Sequence, residues 1–270
     1  MPRVAMKVAY DGVAFHGQAR QPGLSTVEGE ILRALVRAGV IRDARSSRFQ
    51  SASRTDRGVS ALGNVVAFDT SLSGVAALRA FNGKARGVWG WGVAAVSDDF
   101  SARRARERWY RYTLSPAHDP QCLASTLALF TGEHDFRNFT RDRARTIARI
   151  DVVTASREAD AVVLDFRAPS FRWNLVRRLV AAALLTEQDA RKQQDVARAL
   201  EGSVRADFGL APPEPLTLMD VRYDMEFVPV SDPTTRDRIV RHLEGRTRSA
   251  RFAEAVAEKF GVRSGSSPNV

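Results

Sequence analysis

Residues 53–61, with the sequence SRTDRGVSA, hold the side chains best suited to chemistry. Asp56 stands between Arg54 and Arg57, and a carboxylate flanked by two guanidiniums is expected to stay ionised because nearby positive charge favours the charged form. An ionised carboxylate can act as a nucleophile or a base toward an anionic substrate. Gly58 accepts backbone conformations that other residues avoid, which lets a large ligand approach closely. The alternative interpretation is a solvated turn with a surface salt bridge.

Positive charge dominates the composition, since 41 Lys and Arg residues against 31 Asp and Glu residues give a net charge of +10. Nearly all of it is Arg, whose planar fork matches phosphate oxygens in pairs and stacks on bases. A GC-rich genome would also enrich Arg, but the arginines cluster in two runs, the first interleaved with aromatic residues. The runs are Arg103, Arg104, Arg106, Arg108 and Arg111 with Trp109, Tyr110 and Tyr112, and then Arg137, Arg141, Arg143, Arg145 and Arg149. This pattern favours an RNA groove.

Cysteine content and hydropathy exclude several classes of protein. Cys122 is the only cysteine, which excludes an intramolecular disulfide and a cysteine-based zinc site and favours a reducing compartment. Residues 179–185, the longest apolar stretch, fall far short of the roughly 20 residues of a membrane span, and residues 1–7 lack the apolar run of a signal peptide. We therefore expect a soluble cytoplasmic protein. The absence of GxxxxGK, HExxH and paired-cysteine motifs predicts no cofactor and no metal.

The elements around Asp56 are predicted from hydrophobic periodicity. Residues 49–53 and 64–69 have the pattern of strands, so that the acid lies in a connection between two strands. A helix is predicted to begin after a capping box formed by Ser25 and Glu28.

Residues 106–114 have the alternation of a strand in which Tyr110 and Tyr112 share one face, while Trp109 and Arg111 share the other. Spacing alone leaves the two tyrosines equal candidates for an active-site role.

The second half of the chain is predicted to add helices and a hairpin. A buried helix over residues 171–185 carries Arg177 and Arg178 on a basic flank, and residues 133–136 follow a helix end as a loop. The remaining elements are a helix at 121–130, a hairpin of 147–156 with 161–168, a polar helix at 189–200, a strand at 216–223, and charged helices at 235–243 and 249–260. Residues 265–269, Gly-Ser-Ser-Pro-Asn, are expected to be disordered.

This order of elements indicates an α+β fold with a mainly antiparallel central sheet flanked by helices, because hairpins replace regular strand-helix alternation. Two α/β lobes with a basic cleft between them are expected. The predicted division is an N-terminal lobe, 1–116, with the Asp56 loop, a C-terminal lobe, 117–228, and a helical extension with a flexible tail, 229–270.

Short motifs occur in order along most of the chain. They are YDG at 10–12, TVEG at 26–29, SRTDRGVSA at 53–61, Asn82, FSAR at 100–103, YRY at 110–112, GEHDF at 132–136, LVR at 175–177 and LTL at 216–218. As an ordered set they resemble TruA-type tRNA pseudouridine synthases, in particular the archaeal branch. The resemblance implies the pseudouridine synthase fold, no cofactor, and a homodimer that isomerises uridines at positions 38 to 40 of the tRNA anticodon stem-loop.

The resemblance also implies roles for individual residues. Asp56 would be the catalytic aspartate, Tyr110 would stack on the target uracil, and Arg177 would close on Asp56 from the second lobe. Arg54 would pair with the acid or a phosphate. Further RNA contacts are expected from Thr55, Arg57, Gly58, Arg103, Tyr112 and Arg178. The chain departs from the bacterial pattern at Ser60, at Asn64 and at Arg172-Trp173-Asn174, which affects the expected RNA contacts.

The chemistry agrees with these roles. Pseudouridine formation replaces an N-glycosidic bond by a C-glycosidic bond at constant composition, so it requires a carboxylate, an aromatic wall for the detached uracil and positive charge for extruded RNA. Attack on C1′ and removal of a C2′ proton both remain open for the carboxylate. The alternatives are action on other uridines, or a non-catalytic RNA-binding protein of the same fold. A protein that only binds RNA has no need of an acid that repels phosphate, so Asp56 argues against this second alternative.

Overall fold

The structure, a computed structural model, describes residues 1–259. The strands are β1 Arg3–Tyr10, β2 Gln50–Ser51, β3 Ser60–Asp69, β4 Val88–Val96, β5 Glu107–Leu114, β6 Gly132–Asp135, β7 Ile147–Ile150, β8 Val152–Glu158, β9 Ala161–Ala168, β10 Leu216–Arg222 and β11 Val228–Pro229. The helices are α1 Val27–Arg37, α2 Gly74–Lys84, α3 Pro120–Leu127, α4 Leu175–Gln188, α5 Lys192–Leu200 and α6 Pro233–Lys259. The segment 265–269, expected to be disordered, lies outside the described residues.

A nine-stranded sheet forms the centre of the protein, in the order β11-β4-β1-β3-β10-β5-β9-β8 with β2 beside β3. Its strand pairs are antiparallel except β3 with β10, where Ser60 and Ala61 lie beside Thr217 and Leu218. The predicted α+β fold with a mainly antiparallel sheet is therefore confirmed. The sheet runs without a break through both predicted lobes, and the boundaries at 116 and 228 stay a prediction.

The alternation predicted for β5 is present in the structure. Tyr110 and Tyr112 are buried on one face, while Trp109 and Arg111 lie on the other, where both donate hydrogen bonds to Asp165. The strand thus presents a row of inward-facing side chains to the core and an ion-paired row to the opposite side of the sheet.

Several predicted boundaries were wrong, for local physical reasons. Thr26, not Ser25, caps α1, because its Oγ1 accepts a hydrogen bond from the Gly29 N–H at 3.2 Å. Residues 133–136 are not a loop, since residues 132–135 form β6, which pairs with β7. Helix α4 begins at Leu175 rather than at residue 171, because the residue before it, Asn174, has a left-handed backbone with φ of 62°.

A single helix, α6, replaces the two C-terminal helices predicted at 235–243 and 249–260. It contacts the body of the protein through Arg238, which donates hydrogen bonds to the carbonyls of Asn82 and Ala85. One turn later, His242 Nε2 lies 3.3 Å from Asp11 Oδ2. None of the helices in the described part of the chain is both long and apolar enough to cross a membrane.

Asp69, at the end of β3, holds two chain segments together. Arg3 Nη1 lies 2.8 Å from Asp69 Oδ1, and Arg48 Nε lies 2.5 Å from Oδ2. Burial alone would raise the pKa of Asp69, but the hydrogen bonds from Arg48 and Arg3 outweigh burial and lower it. The ionised pair therefore stabilises the fold above the carboxyl's ordinary pKa, and its contribution disappears as the pH falls through the lowered folded value.

The Asp69→Asn variant should consequently lose about 3 kcal/mol of unfolding free energy at neutral pH, because removing one partner leaves Arg3 buried without its counter-charge. The gap to the wild type should close at acidic pH, where the wild-type carboxyl is protonated. Denaturant titrations at several pH values measure this. Asp98→Asn, at a side chain that is 83% exposed, is the matched control and should stay near the wild type. A difference in unfolding free energy that did not change with pH would contradict the stabilising role of the ionised Asp69 carboxylate.

Candidate active site

The loop between β2 and β3 packs against the end of β1 and the glycine turn that follows it. A Cβ at Gly12 would lie 2.2 Å from the Val59 carbonyl oxygen, so only glycine permits this approach. The Thr55 Oγ1 lies 2.9 Å from the Tyr10 hydroxyl. Burial raises the pKa of Tyr10 to about 12, which keeps that hydroxyl protonated. Gly58 then reverses the chain with φ of +85°. These contacts place Asp56 at the tip of a rigid turn.

One oxygen of Asp56 is held by two side chains from the second half of the chain. Arg177 Nη1 donates to Oδ2 at 3.0 Å, and Asn174 Nδ2 donates to the same oxygen at 2.5 Å. Within residues 1–259, no side chain or backbone N–H donates to Oδ1. The carboxylate is therefore oriented through Oδ2, and Oδ1 is left without a donor from the described residues.

The sequence neighbours of Asp56 do not supply its ion pair. Arg54 and Arg57 are exposed, and neither forms an ion pair with another described residue. Neither Arg54 nor Arg57 therefore pairs with the acid in the structure, and the alternative for Arg54, a contact with a phosphate, stays a prediction. Arg177 does close on Asp56, as the resemblance implies.

Arg177 is itself held in place. It lies in the first turn of α4, its side chain is 11% exposed, and its Nε donates to the Ala211 carbonyl at 2.7 Å. The N-terminal end of α4 carries partial positive charge, which also favours a carboxylate beside it. The fork of one guanidinium thus links Asp56 to the segment before β10.

Tyr110 lies in the same cleft as Asp56. Its ring packs edge-on against Phe171, with centroids 5.2 Å apart and planes at 87°. Burial raises the pKa of the Tyr110 phenol well above its ordinary value, so the side chain is neutral at physiological pH. Tyr110 and Phe171 together form an aromatic wall that suits a flat, uncharged ring.

The cleft encloses about 1140 Å³, which is slightly more than the roughly 300–1,000 Å³ of a typical small-molecule site. Four of the residues expected to bind RNA line it: Arg54, Thr55, Arg57 and Arg103. Gly58 lines a smaller cleft that adjoins it. The predicted basic cleft around the acid is therefore present. In the described range, no three His, Cys, Asp or Glu side chains are grouped as a metal site would require.

Two predicted contacts lie elsewhere. Tyr112 is 1% exposed and its hydroxyl donates to the Pro212 carbonyl at 3.1 Å, and burial raises its pKa to about 12. Arg178 Nη1 pairs with Asp207 at 2.8 Å. Neither residue lines the cleft, because the Tyr112 hydroxyl is bonded to the Pro212 carbonyl and the Arg178 guanidinium is turned to Asp207.

The sequence analysis missed the role of Arg108. It is 7% exposed, and its Nε donates to Ser53 Oγ at 2.9 Å and its Nη2 to the Ala52 carbonyl at 2.8 Å. A further bond goes to the Pro169 carbonyl. Arg108 therefore positions the start of the Asp56 loop, whereas its place in a basic run suggested RNA contact. The period-2 alternation, which puts it on the inward face with Tyr110, was the available signal.

Comparison with known proteins identifies the family. A family model described as tRNA pseudouridine synthase matches residues 127–224. The tRNA pseudouridine synthase A of Pyrococcus furiosus is 41% identical over 227 residues, which cover 82% of this chain and 84% of the relative. The chain belongs to the tRNA pseudouridine synthase family. A second tRNA pseudouridine synthase A, from Thermococcus onnurineus, is 37% identical over 266 residues, covering 94% and 98% of the two chains.

Membership in the tRNA pseudouridine synthase family makes the chain an isomerase and confirms the resemblance drawn from its motifs. The residues matched by the family model include Arg177 but not Asp56. A chain in the crystal structure of a Cbf5-Nop10-Gar1 complex aligns with 80% of this chain and 48% of its own length, at 11% identity and a TM-score of 0.35. That similarity is too low to carry a structural argument.

Proposed function

We propose that the protein isomerises uridine to pseudouridine at positions 38 to 40 of the tRNA anticodon stem-loop, with Asp56 as the catalytic carboxylate. One observation carries the proposal. Arg177 and Asn174 hold Oδ2 of Asp56, Oδ1 has no hydrogen-bond donor in the described part of the chain, and Asp56 lines a cleft that Tyr110 also lines. The tRNA substrate is supported by the names of the relatives, and the target positions rest on the motif resemblance alone.

The arrangement suits the reaction step by step. Basic residues of the cleft hold the RNA backbone around a uridine extruded from its stack. Asp56 Oδ1 then attacks C1′ or takes the C2′ proton, and the C1′–N1 bond breaks. Tyr110 and Phe171 form the wall against which the detached uracil turns. C5 then bonds to C1′ as the C1′–Asp56 bond breaks on the first route, or as the proton held by Asp56 returns to C2′ on the second. Loss of the C5 proton and protonation of N1 complete an isomerisation without net change in composition.

Mapping pseudouridines in tRNA from cells that lack the protein tests both the activity and the address. We expect pseudouridine to disappear at positions 38, 39 and 40 and to return when the wild-type gene, but not an Asp56→Asn gene, is restored. Loss of pseudouridine at other sites would change the proposed target positions but leave the proposed reaction in place. An unchanged pseudouridine content of the tRNA would favour the alternative of a non-catalytic RNA-binding protein.

Two further expectations accompany this function. A homodimer is expected from the resemblance, and sedimentation of the full chain measures it. A cytoplasmic location is expected from the sequence, and cell fractionation measures it.

A further inference from the structure

A second cleft opens beside the active site. It encloses about 480 Å³. The residues that line both clefts are Asp56, Arg57, Trp173, Asn174 and Arg177. The proposed reaction of one uridine accounts for the larger cleft but requires nothing from the smaller one. Asp56 lines the smaller cleft and Tyr110 does not, so a ligand there would be a neighbour of the nucleoside that reacts against the Tyr110 wall.

Trp173 provides this second cleft with a flat and rigid surface. Its side chain is 54% exposed, which leaves a large apolar ring in contact with water. The backbone beneath the ring is fixed on both sides. Its carbonyl accepts bonds from Thr140 Oγ1 at 3.0 Å and from the Arg141 N–H at 3.1 Å, and its N–H donates to Asp142 Oδ2 at 3.2 Å. An exposed indole on a fixed backbone suits a stacking platform, because binding costs only the freedom of its side chain.

Positive charge surrounds the platform. The Arg141 guanidinium carbon lies 5.1 Å from the centroid of the Trp173 ring. Arg57 and Arg141 both line the second cleft, and in the described part of the chain neither is engaged in an ion pair. Glu214 is the one acidic residue of this lining besides Asp56. An aromatic face combined with uncommitted guanidiniums is the arrangement that binds single-stranded nucleic acid.

We propose that the second cleft binds the nucleotide next to the target uridine, with its base stacked on Trp173 and its phosphate between Arg57 and Arg141. This inference rests on the proposed function, because it takes the ribose at Asp56 as its starting point. The RNA strand must continue from that ribose, and the second cleft begins there. Every base has a π face, so the site adds affinity without selecting a sequence. It holds the strand on one side of the extruded uridine.

The test measures tRNA affinity of the full-length protein with transcripts that carry an abasic site immediately 5′ or 3′ of the target uridine. Trp173→Ala should bind the intact transcript roughly 10-fold more weakly, the usual effect of losing one stacked base. An abasic site on one side should weaken the wild type similarly but leave Trp173→Ala unaffected. Trp173→Phe keeps an aromatic face and should bind nearly as the wild type. Trp91→Ala, at a partly exposed tryptophan outside both clefts, is the control.

The proposal would be overturned if the abasic sites lowered the tRNA affinity of the wild type and of Trp173→Ala equally. It would also be overturned if Trp173→Ala bound the intact transcript as tightly as the wild type. Arg141→Ala should lower affinity and reduce the salt dependence by about one counterion, and an unchanged salt slope would refute the phosphate contact. Turnover of the intact transcript by the wild type is measured in parallel. Absence of pseudouridine formation by the wild type would refute the proposed function. The affinities test only the stacking site.

Discussion

Replacing Asp56 with Asn should reduce pseudouridine formation by at least about 10⁴-fold, while affinity for tRNA changes by no more than a few-fold. The size of the loss is that of removing a group which reacts directly. Asn has the shape of Asp, so the loop between β2 and β3 should keep its position. It lacks the negative charge that attacks C1′ or removes a proton from C2′. Single-turnover assays with saturating tRNA separate this chemical loss from a loss of binding.

The control for the Asp56→Asn variant is its thermal stability, which should stay close to that of the wild type because the Asp56 side chain is 28% exposed. Removing a negative charge from a cleft that faces phosphates should tighten RNA binding slightly, if it changes it at all. Turnover near the wild-type rate would eliminate Asp56 as the catalytic group and with it the proposed mechanism.

The Arg177→Met variant should lose about 10²- to 10³-fold in turnover, the usual effect of removing one preorganised donor from a charged reacting group. Without the guanidinium, Asp56 Oδ2 keeps a hydrogen bond only from Asn174, and the carboxylate can rotate away from the ribose. Arg177→Lys should be intermediate. Lysine retains the charge but has no fork, so it cannot bond Asp56 and the Ala211 carbonyl together. The loss should appear in kcat more than in KM.

Arg178→Met is the matched control for Arg177, since the two residues are adjacent on α4 and differ only in direction. Arg178 pairs with Asp207, whose side chain is 71% exposed, and it does not line the cleft. We expect at most a few-fold change in turnover. Equal losses in the two variants would indicate that α4 contributes general positive charge rather than a specific contact with Asp56.

Local pattern predicted the fold well where burial is periodic. Strand β5, predicted at 106–114, lies at Glu107–Leu114 and alternates as expected between Tyr110 on one face and Trp109 on the other. Prediction failed where a distant partner decides the structure. The segment 132–135 becomes a strand because β7 lies beside it, and no local property of its residues indicates this pairing. The helices predicted at 235–243 and 249–260 form the single helix α6, because Gly245 between them weakens a helix without ending it.

The sequence by itself determined the place of Asp56, the proposed catalytic acid, in a connection between strands and the face of β5 that carries Tyr110. These follow from residue type and short-range spacing, which act within a few residues. Only the tertiary structure decided what holds the acid. The adjacent Arg54 and Arg57 face outward, while Arg177 and Asn174 reach Asp56 from more than 110 positions away. Strand β10 lies between β3 and β5, so the order of the strands, which spacing along the chain does not encode, brings the two halves of the site together.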